Sequence, residues 1–395
     1  MTQGLLSPMS FLWKELRKLT ILNCKIKKRL KWLSSRSYCR LFESFIMMSG
    51  MSKGNVFVAM SGGVDSSLSA YLLKKEGYRV SGIHLEMKAE AQFVPEEHAE
   101  LEQTCQILEI PLHYLHVETE FRERVIEYFC EEYALGRTPN PCIWCNRRIK
   151  FGILLSKILE MGGDFLATGH YARIKYTGSL YHLLKGVDRY KDQSYFLYVL
   201  DQSVLSRIIF PLGGMYKDQV KKMAADLGLP AVKRQESQDI CFLPDQDYAA
   251  FVAQHRQPVP GEIVDTSGRV LGRHRGLIYY TVGQRQGIGL GGSRRMYVIR
   301  KDAATNRLIV GSREELYRES LLAENLNWIS GMAPTGRVEV TCKIRYRSPE
   351  VEATVEMKGA LAEVRFKEPQ LAIAPGQSVV FYRNDEVIGG GIISG

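Results

Sequence analysis

From residue 55 onward, short apolar runs alternate with segments in which apolar residues return every three or four positions. Residues 55–60, 78–84, 112–117 and 164–168 read as strands, being brief, rich in β-branched and aromatic side chains and bounded by turn formers. Residues 65–75, 96–109, 121–135 and 146–161 carry the helical period, and the first of these stops at Gly77. Strands alternating with helices predict a parallel sheet covered on both faces, whose ligands lie at the carboxyl ends of the strands. Beyond about residue 255 the pattern changes. Pro258–Gly261 reads as a turn, and β-type runs follow at 262–265, 277–282, 296–300 and 307–310. From about residue 325, five runs at 337–346, 351–358, 362–366, 378–383 and 386–393 predict a small β-barrel or sandwich. The expected fold is α/β: a parallel-sheet domain over residues 51–245, a small central α+β or β-rich domain over 246–320, and a C-terminal β-barrel over 321–395.

Composition narrows the classes. The 395 residues are 45% hydrophobic and 24% charged, which excludes a disordered, collagen-like or disulfide-scaffold chain. No apolar run reaches the roughly 18 residues needed to span a bilayer, so no membrane partner is expected. The net charge is +10, but residues 1–50 carry +8 of it and residues 51–395 only +2. A nucleic-acid partner must therefore be met by local patches. Charges interrupt the first fifty residues throughout, so they do not read as a secretory signal. Met51 reads as the natural start, with 1–50 an over-extended gene model, a poorly ordered tail or a transit peptide. Eight cysteines without a secretion signal point to a reducing, cytoplasmic setting, and the close Cys142/Cys145 pair to metal or redox chemistry.

Two constellations carry chemistry. In Ala59-Met60-Ser61-Gly62-Gly63-Val64-Asp65-Ser66, a buried strand runs into two glycines and then into a helix. Glycine lets backbone N–H groups turn inward, and a helix start adds unpaired donors and a positive dipole end. The string is an anion cradle suited to a di- or triphosphate. It lacks the lysine of the ordinary phosphate loop. In the second, Thr138-Pro139-Asn140-Pro141 leads into Cys142-Ile143-Trp144-Cys145, with Cys241 far downstream. The prolines predict a loop at Cys142 and a helix start at Cys145, where a thiol pKa is lowered.

The Ser-Gly-Gly-x-Asp-Ser string resembles the PP-loop of ATP pyrophosphatases, adenine-nucleotide α-hydrolase-like enzymes that split ATP into AMP and pyrophosphate. Together with Thr138–Pro141, Cys145-Asn146, Gly169-His170-Tyr171-Ala172, Lys191–Phe196, Phe210–Gly213, Glu236–Phe242, Tyr280–Arg285 and Lys343–Arg347, it makes the chain similar to the tRNA-specific 2-thiouridylases over 51–395. That resemblance implies ATP-dependent 2-thiolation of the wobble uridine in the tRNA anticodon loop. ATP and Mg²⁺ would be bound by residues 59–66, with Asp65 toward the metal, and by Leu85 and Gly169. Cys241 would carry a persulfide supplied by a cysteine desulfurase or relay carrier, and Cys145 would be the second catalytic thiol, the two closing a disulfide after turnover. Asn140, Pro141 and Cys142 would border the target base, and His170, Lys191, Asp192, Gln193, Arg345, Tyr346 and Gln377 would contact tRNA. Arg285, Arg294 and Arg295, beside the glycine-rich loop 287–292, are further candidates to grip RNA phosphates.

One departure stands out. Many family members carry Asp where this chain has Cys142. Cys142, Cys145 and Cys241 make three thiols, enough for three corners of a [4Fe–4S] cluster with one iron open, or for the blander zinc alternative. Persulfide and cluster routes both remain open at this point. So do two other readings: a different PP-loop adenylating ligase, and a non-catalytic RNA-binding or iron-sensing protein.

Overall fold

Residues 52–87, 95–233, 240–243, 247–291 and 295–394 are described by the structure, a computed structural model. The expectations placed on residues 1–50, on Glu236–Asp239 and on Arg294 lie outside them. Of strands β1 (Asn55–Ala59), β2 (Arg79–Glu86), β3 (Leu112–His116) and β4 (Phe165–Ala167), the apolar β1 and β4 are the most deeply buried, while β3 at the sheet edge is only partly covered. A hairpin of β5 (Ala172–Thr177) and β6 (Leu180–Lys185) follows, then the two-residue β7 (Ile208–Ile209). The parallel sheet has the order β3-β2-β1-β4-β7. The chain leaves β1 in one direction and returns as β4 on its other side, which makes the carboxyl edge of these two strands the switch point.

Helix α1 (Val64–Lys75) has Asp65 in its first turn and Lys74 and Lys75 in its last, matching its dipole, and Gly77 at φ +92° ends the run. Helix α2 is Pro95–Leu108. Helix α3 runs over 118–134 with a π turn at Arg122–Ile126, and α4 over 141–160 with one at Asn146–Leu154. Pro141 opens α4 at a position where its missing N–H costs nothing. Cys142 therefore lies in the first helical turn, not on a loop, and Cys145 closes that turn just before the helix widens.

The central unit pairs β8 (Gly261–Asp265), β9 (Val270–His274), β10 (Tyr297–Asp302) and β11 (Arg307–Gly311) in the order β10-β11-β8-β9. The expected strand at 277–282 is instead a 3-10 turn, Leu277–Tyr279. Its apolar side chains plug the core of this small sheet without joining its ladder. Strands β12 (Tyr317–Trp328), β13 (Val338–Lys343), β14 (Val351–Lys358), β15 (Leu361–Leu371), β16 (Ser378–Arg383) and β17 (Glu386–Ile393) form an antiparallel barrel, closed by β12 pairing with β17. The barrel has six strands because β12 starts ahead of the five runs expected from the sequence.

The β5–β6 hairpin adds to β17 through Glu386↔Leu184 and Val387↔Leu183, so the barrel sheet continues into the chain between β4 and β7. At this joint Lys185 is buried. Its Nζ donates to Glu350 Oε2 and to the Asn384 carbonyl, both at 2.7 Å, and lies 4.4 Å from the centre of the Tyr382 ring. Glu350 stays partly solvated and keeps a bond from Thr341, so removing Lys185 strands mainly the Asn384 carbonyl and the packing on Tyr382. Lys185→Met should cost about 1–2 kcal/mol, read as a lower midpoint in chemical denaturation. A midpoint equal to wild type would mean that the hairpin joint contributes nothing to stability.

Candidate active site

The nucleotide cradle forms where β1 ends. Gly62 adopts φ +75°, which suits glycine, and Gly63 is the N-cap of α1 with no side chain to fill the helix start. Ser66 Oγ accepts from Ser61 N at 3.2 Å and donates to the Gly63 carbonyl at 3.0 Å, which fixes the loop. Gly169, at the end of β4, lies so close that a Cβ there would meet the Asp65 Cβ at 2.8 Å and the Asp65 carbonyl carbon at 2.9 Å. Thus Ala59 through Ser66 and Gly169 meet at one edge. Met60 is buried, with its N–H on Ile83 and its carbonyl on His84 Nδ1. A glycine-walled helix start with an open dipole end fits a polyphosphate.

Asp65 is not the side chain that caps α1. Tyr171 Oη donates to its Oδ1 at 2.8 Å, and Lys217 Nζ reaches both carboxylate oxygens at 2.7 and 2.8 Å. Lys217 is buried and belongs to the start of helix α5 (Lys217–Asp226), where its backbone N–H donates to Asp188 Oδ2 at 3.0 Å. It brings to the loop the cation that the PP-loop string lacks. Sequence reading missed it, because a lysine in a first turn gives no local sign of a carboxylate partner 152 positions away. Glu86 was missed too. It is buried beyond Leu85, between His116 Nδ1 at 2.5 Å and His98 Nε2 at 3.5 Å.

The cysteines approach from the other side of the same edge. Cys145 is buried among Val117, Phe121, Val125 and Ile149, and both Leu85 and Phe242 pack on that cluster. Leu85 therefore touches the surroundings of the thiol, and Phe242 carries the exposed Cys241 to them. Burial pushes the Cys145 thiol up to about 12, partly offset by Lys150 and reinforced by the Cys241 and Cys142 thiolates. Burial raises the half-buried Cys142 thiol as well. The lowered pKa expected at a helix start does not occur, because desolvation outweighs the dipole here. His170 receives or gives one hydrogen bond with Thr168 Oγ1 at 2.7 Å and sits between the Phe151 and Phe210 rings. Burial holds it well below its ordinary value and therefore neutral.

Among the described residues, no group of three or more His, Cys, Asp or Glu is disposed to hold a metal ion. Cys142, Cys145 and Cys241 share an electrostatic neighbourhood without forming a ligand set, so no step below passes through a cluster. Of the residues expected at RNA, Asn140 and Pro141 border Cys142 at the start of α4, whereas Asp192 faces inward. The Asp192 carboxylate accepts from Gly186 N, Ser194 N and Ser194 Oγ. Gln193 is tied to Tyr171 N at 3.0 Å, beside the half-buried Lys191. Tyr346 packs on Phe196 with ring centres 4.4 Å apart, and Arg345 donates to the Ala372 carbonyl. Gln377 Nε2 donates to the Thr138 carbonyl at 2.8 Å, while Thr138 N donates to the Pro375 carbonyl at 2.7 Å. The barrel thus grips the loop that precedes the cysteines. Arg124, Arg147 and Arg148 line a cavity of about 530 Å³ between α3 and α4, which also admits His116, Glu120 and Glu160.

Three family models match in succession: the tRNA methyl transferase HUP domain over residues 54–245, the tRNA methyl transferase PRC-barrel domain over 249–312, and the aminomethyltransferase beta-barrel domain over 318–393. The tRNA-specific 2-thiouridylase MnmA of Geobacter metallireducens is 46% identical over 362 residues, covering 88% of this chain and 98% of that one. Its counterpart in Geotalea uraniireducens is 45% identical over 363 residues, covering 88% and 96%. The chain belongs to the tRNA-specific 2-thiouridylase family. Among solved structures, the U34-tRNA thiolase NcsA from Methanococcus maripaludis with its [4Fe-4S] cluster aligns at 18% identity and a TM-score of 0.33, covering 56% of this chain and 71% of that one. Likeness of that degree says nothing about the chemistry of this 2-thiouridylase.

Two outcomes follow for this family member. A raised Cys145 pKa means that the neutral thiol dominates near neutrality and that thiolate grows roughly tenfold per pH unit. The ultraviolet thiolate signal lost in Cys145→Ser should therefore titrate only above about pH 10, and an inflection below about pH 8 would contradict the buried environment. Gln377→Ala should loosen Thr138 and lower kcat by about tenfold with little change in KM for tRNA. A rise in KM alone would instead assign Gln377 to RNA.

Proposed function

We propose that the chain transfers sulfur to C2 of the wobble uridine in the tRNA anticodon loop, at the expense of ATP. The observation that carries this reading is the convergence at one sheet edge of a phosphate cradle and two cysteines, bridged by Leu85. Residues 59–66 and Gly169 would hold ATP, and Lys217 would leave Asp65 for the phosphates as Asp65 turns to Mg²⁺. The metal, when bound, supplies charge neutralisation on the phosphates.

The uracil O2 attacks the α-phosphorus and expels pyrophosphate, which turns a poor leaving group into AMP. A single-stranded anticodon loop lets the base leave its stack at small cost. Asn140, Pro141 and Cys142 would border the base, with the neutral His170 as a hydrogen-bonding wall and not a base. Lys191, Arg345 and the arginines of the α3–α4 cavity would meet RNA phosphates, consistent with local patches on a nearly neutral body. The terminal sulfur of a Cys241 persulfide then reaches C2 and AMP leaves. Cys145 thiolate attacks the inner sulfur, freeing the thiouridine and closing a Cys145–Cys241 disulfide, which a dithiol must reduce before the next cycle. A cysteine desulfurase or relay carrier would load Cys241, whose exposure admits a donor protein. A cytoplasmic setting suits both partners.

The test pairs two assays on each cysteine variant. Cys145→Ala and Cys241→Ala should each lose thiolation by at least about a thousandfold while tRNA-dependent pyrophosphate release survives. Thiolation that persists in Cys241→Ala would overturn both the Cys241 persulfide and a cluster with Cys241 as a corner. In wild type, tRNA-independent pyrophosphate release without thiolation would favour a different PP-loop ligase, and tRNA binding without pyrophosphate release a non-catalytic protein.

A further inference from the structure

We infer that Cys142 is a resolving thiol, which clears the disulfide left by each turnover and so returns Cys241 to its sulfur donor. The inference rests on the sulfur-transfer reading above and deepens it. Cys142 and Cys145 stand three residues apart in one helical turn, Pro141–Cys145. Helix geometry separates such Cα atoms by about 5 Å, inside the roughly 4.4–6.8 Å range a disulfide spans. Side chains three apart also share a helix face. Pro141 fixes the turn at its first position, and the clamp on Thr138 holds the loop that leads into it. Phe242 packs on the cluster around Cys145, which brings Cys241 to the same face from the opposite chain segment. The three thiols also feel one another's charge.

Exposure orders their roles. Cys241 is exposed, Cys142 half-buried and Cys145 buried. A Cys145–Cys241 disulfide presents only the Cys241 sulfur to an external thiol, and attack there would leave Cys241 capped as a mixed disulfide, whereas attack on the buried Cys145 sulfur from within the protein would free Cys241 as thiolate. Cys142 lies beside that sulfur. Its thiolate attacks Cys145 Sγ, the Cys145–Cys241 bond breaks, and Cys241 leaves as thiolate and takes up the proton that Cys142 gave to solvent. No net oxidation occurs. The oxidised pair is now Cys142–Cys145, in the first helical turn, and an external dithiol that reaches it past the partly exposed Cys142 carries off the two electrons.

The experiment uses the full chain with tRNA, ATP and a persulfide-loaded cysteine desulfurase. Reductant is limiting, and acid quenching is followed by alkylation and peptide mapping. Wild type should accumulate the Cys142–Cys145 link. Cys142→Ser should instead trap Cys145–Cys241, with a burst near one thiolated tRNA per chain and later turnovers at least tenfold slower than wild type. Wild type that shows only Cys145–Cys241 at every time point would overturn the inference. So would a Cys142→Ser chain that cycles at the wild-type rate, or one that loses bound iron together with its burst. If neither disulfide forms in wild type while thiolation proceeds, the sulfur-transfer reading itself fails, separately from the role of Cys142.

Discussion

The backbone at residues 136–138 is where the three parts of the molecule hold one another. Thr138 is bonded on both sides by the barrel, through Pro375 and Gln377, and a Cβ on Gly376 would meet Thr138 N at 2.8 Å. Arg137 Nη1 reaches Glu324 on β12 at 3.1 Å. From the central unit, Lys301 Nζ donates to the Tyr280 carbonyl at 2.9 Å and approaches the Arg137 carbonyl at 3.4 Å. Burial pulls the Lys301 ammonium down to about 7, so the two carbonyls it reaches do not fully compensate for its desolvation. Only three residues then separate Thr138 from Cys142. A loop of prolines gripped this way has little freedom left, and the position of the cysteine turn is set by domains that carry no chemistry.

The same economy governs the nucleotide edge. In a body of net charge +2, this edge holds a paired cation and anion, Lys217 and Asp65, with the Tyr171 hydroxyl. The two charges satisfy each other in a partly dry place. On the proposed reading, a polyphosphate with its cation would exchange that pair for two new ones, phosphate on Lys217 and cation on Asp65, leaving neither charge stranded. Lys217 is held by its helix and by Asp188, and Asp65 by α1, which makes the exchange a matter of side-chain rotation on fixed supports.

Local pattern made much of this legible. Strands β1 to β4, helices α1 to α4 and five of the six barrel strands follow from apolar period, and the cradle follows from two glycines between a strand and a helix. What escaped depends on contacts far apart in sequence. Lys217 lies 152 positions from Asp65, and Gln377 lies 239 from Thr138. The β5–β6 hairpin reads as an ordinary excursion until β17 pairs with it. The stretch at 277–282 has strand-like composition, yet its side chains are taken by the core of a small sheet with no vacant edge for it. Asp192 looks like a surface charge among Lys191 and Gln193, but three donors within a tight turn draw it inward. The cysteine pKa values went the other way from the local rule, since a helix start favours thiolate and a dry pocket disfavours it more.

That reversal bears on how the enzyme is kept quiet. A thiolate poised at neutral pH beside a persulfide would close a disulfide and discard sulfide whether or not tRNA was present. Burial of Cys145 withholds the nucleophile, and Lys150, the one cation that lowers its pKa, only partly offsets this. Neutral His170 adds no charge to help it. Ionising the thiol near neutrality therefore requires a change in its solvation or a cation beside it. On the proposed reading, desolvation would keep Cys145 a neutral thiol until the sulfur-release step supplies that change.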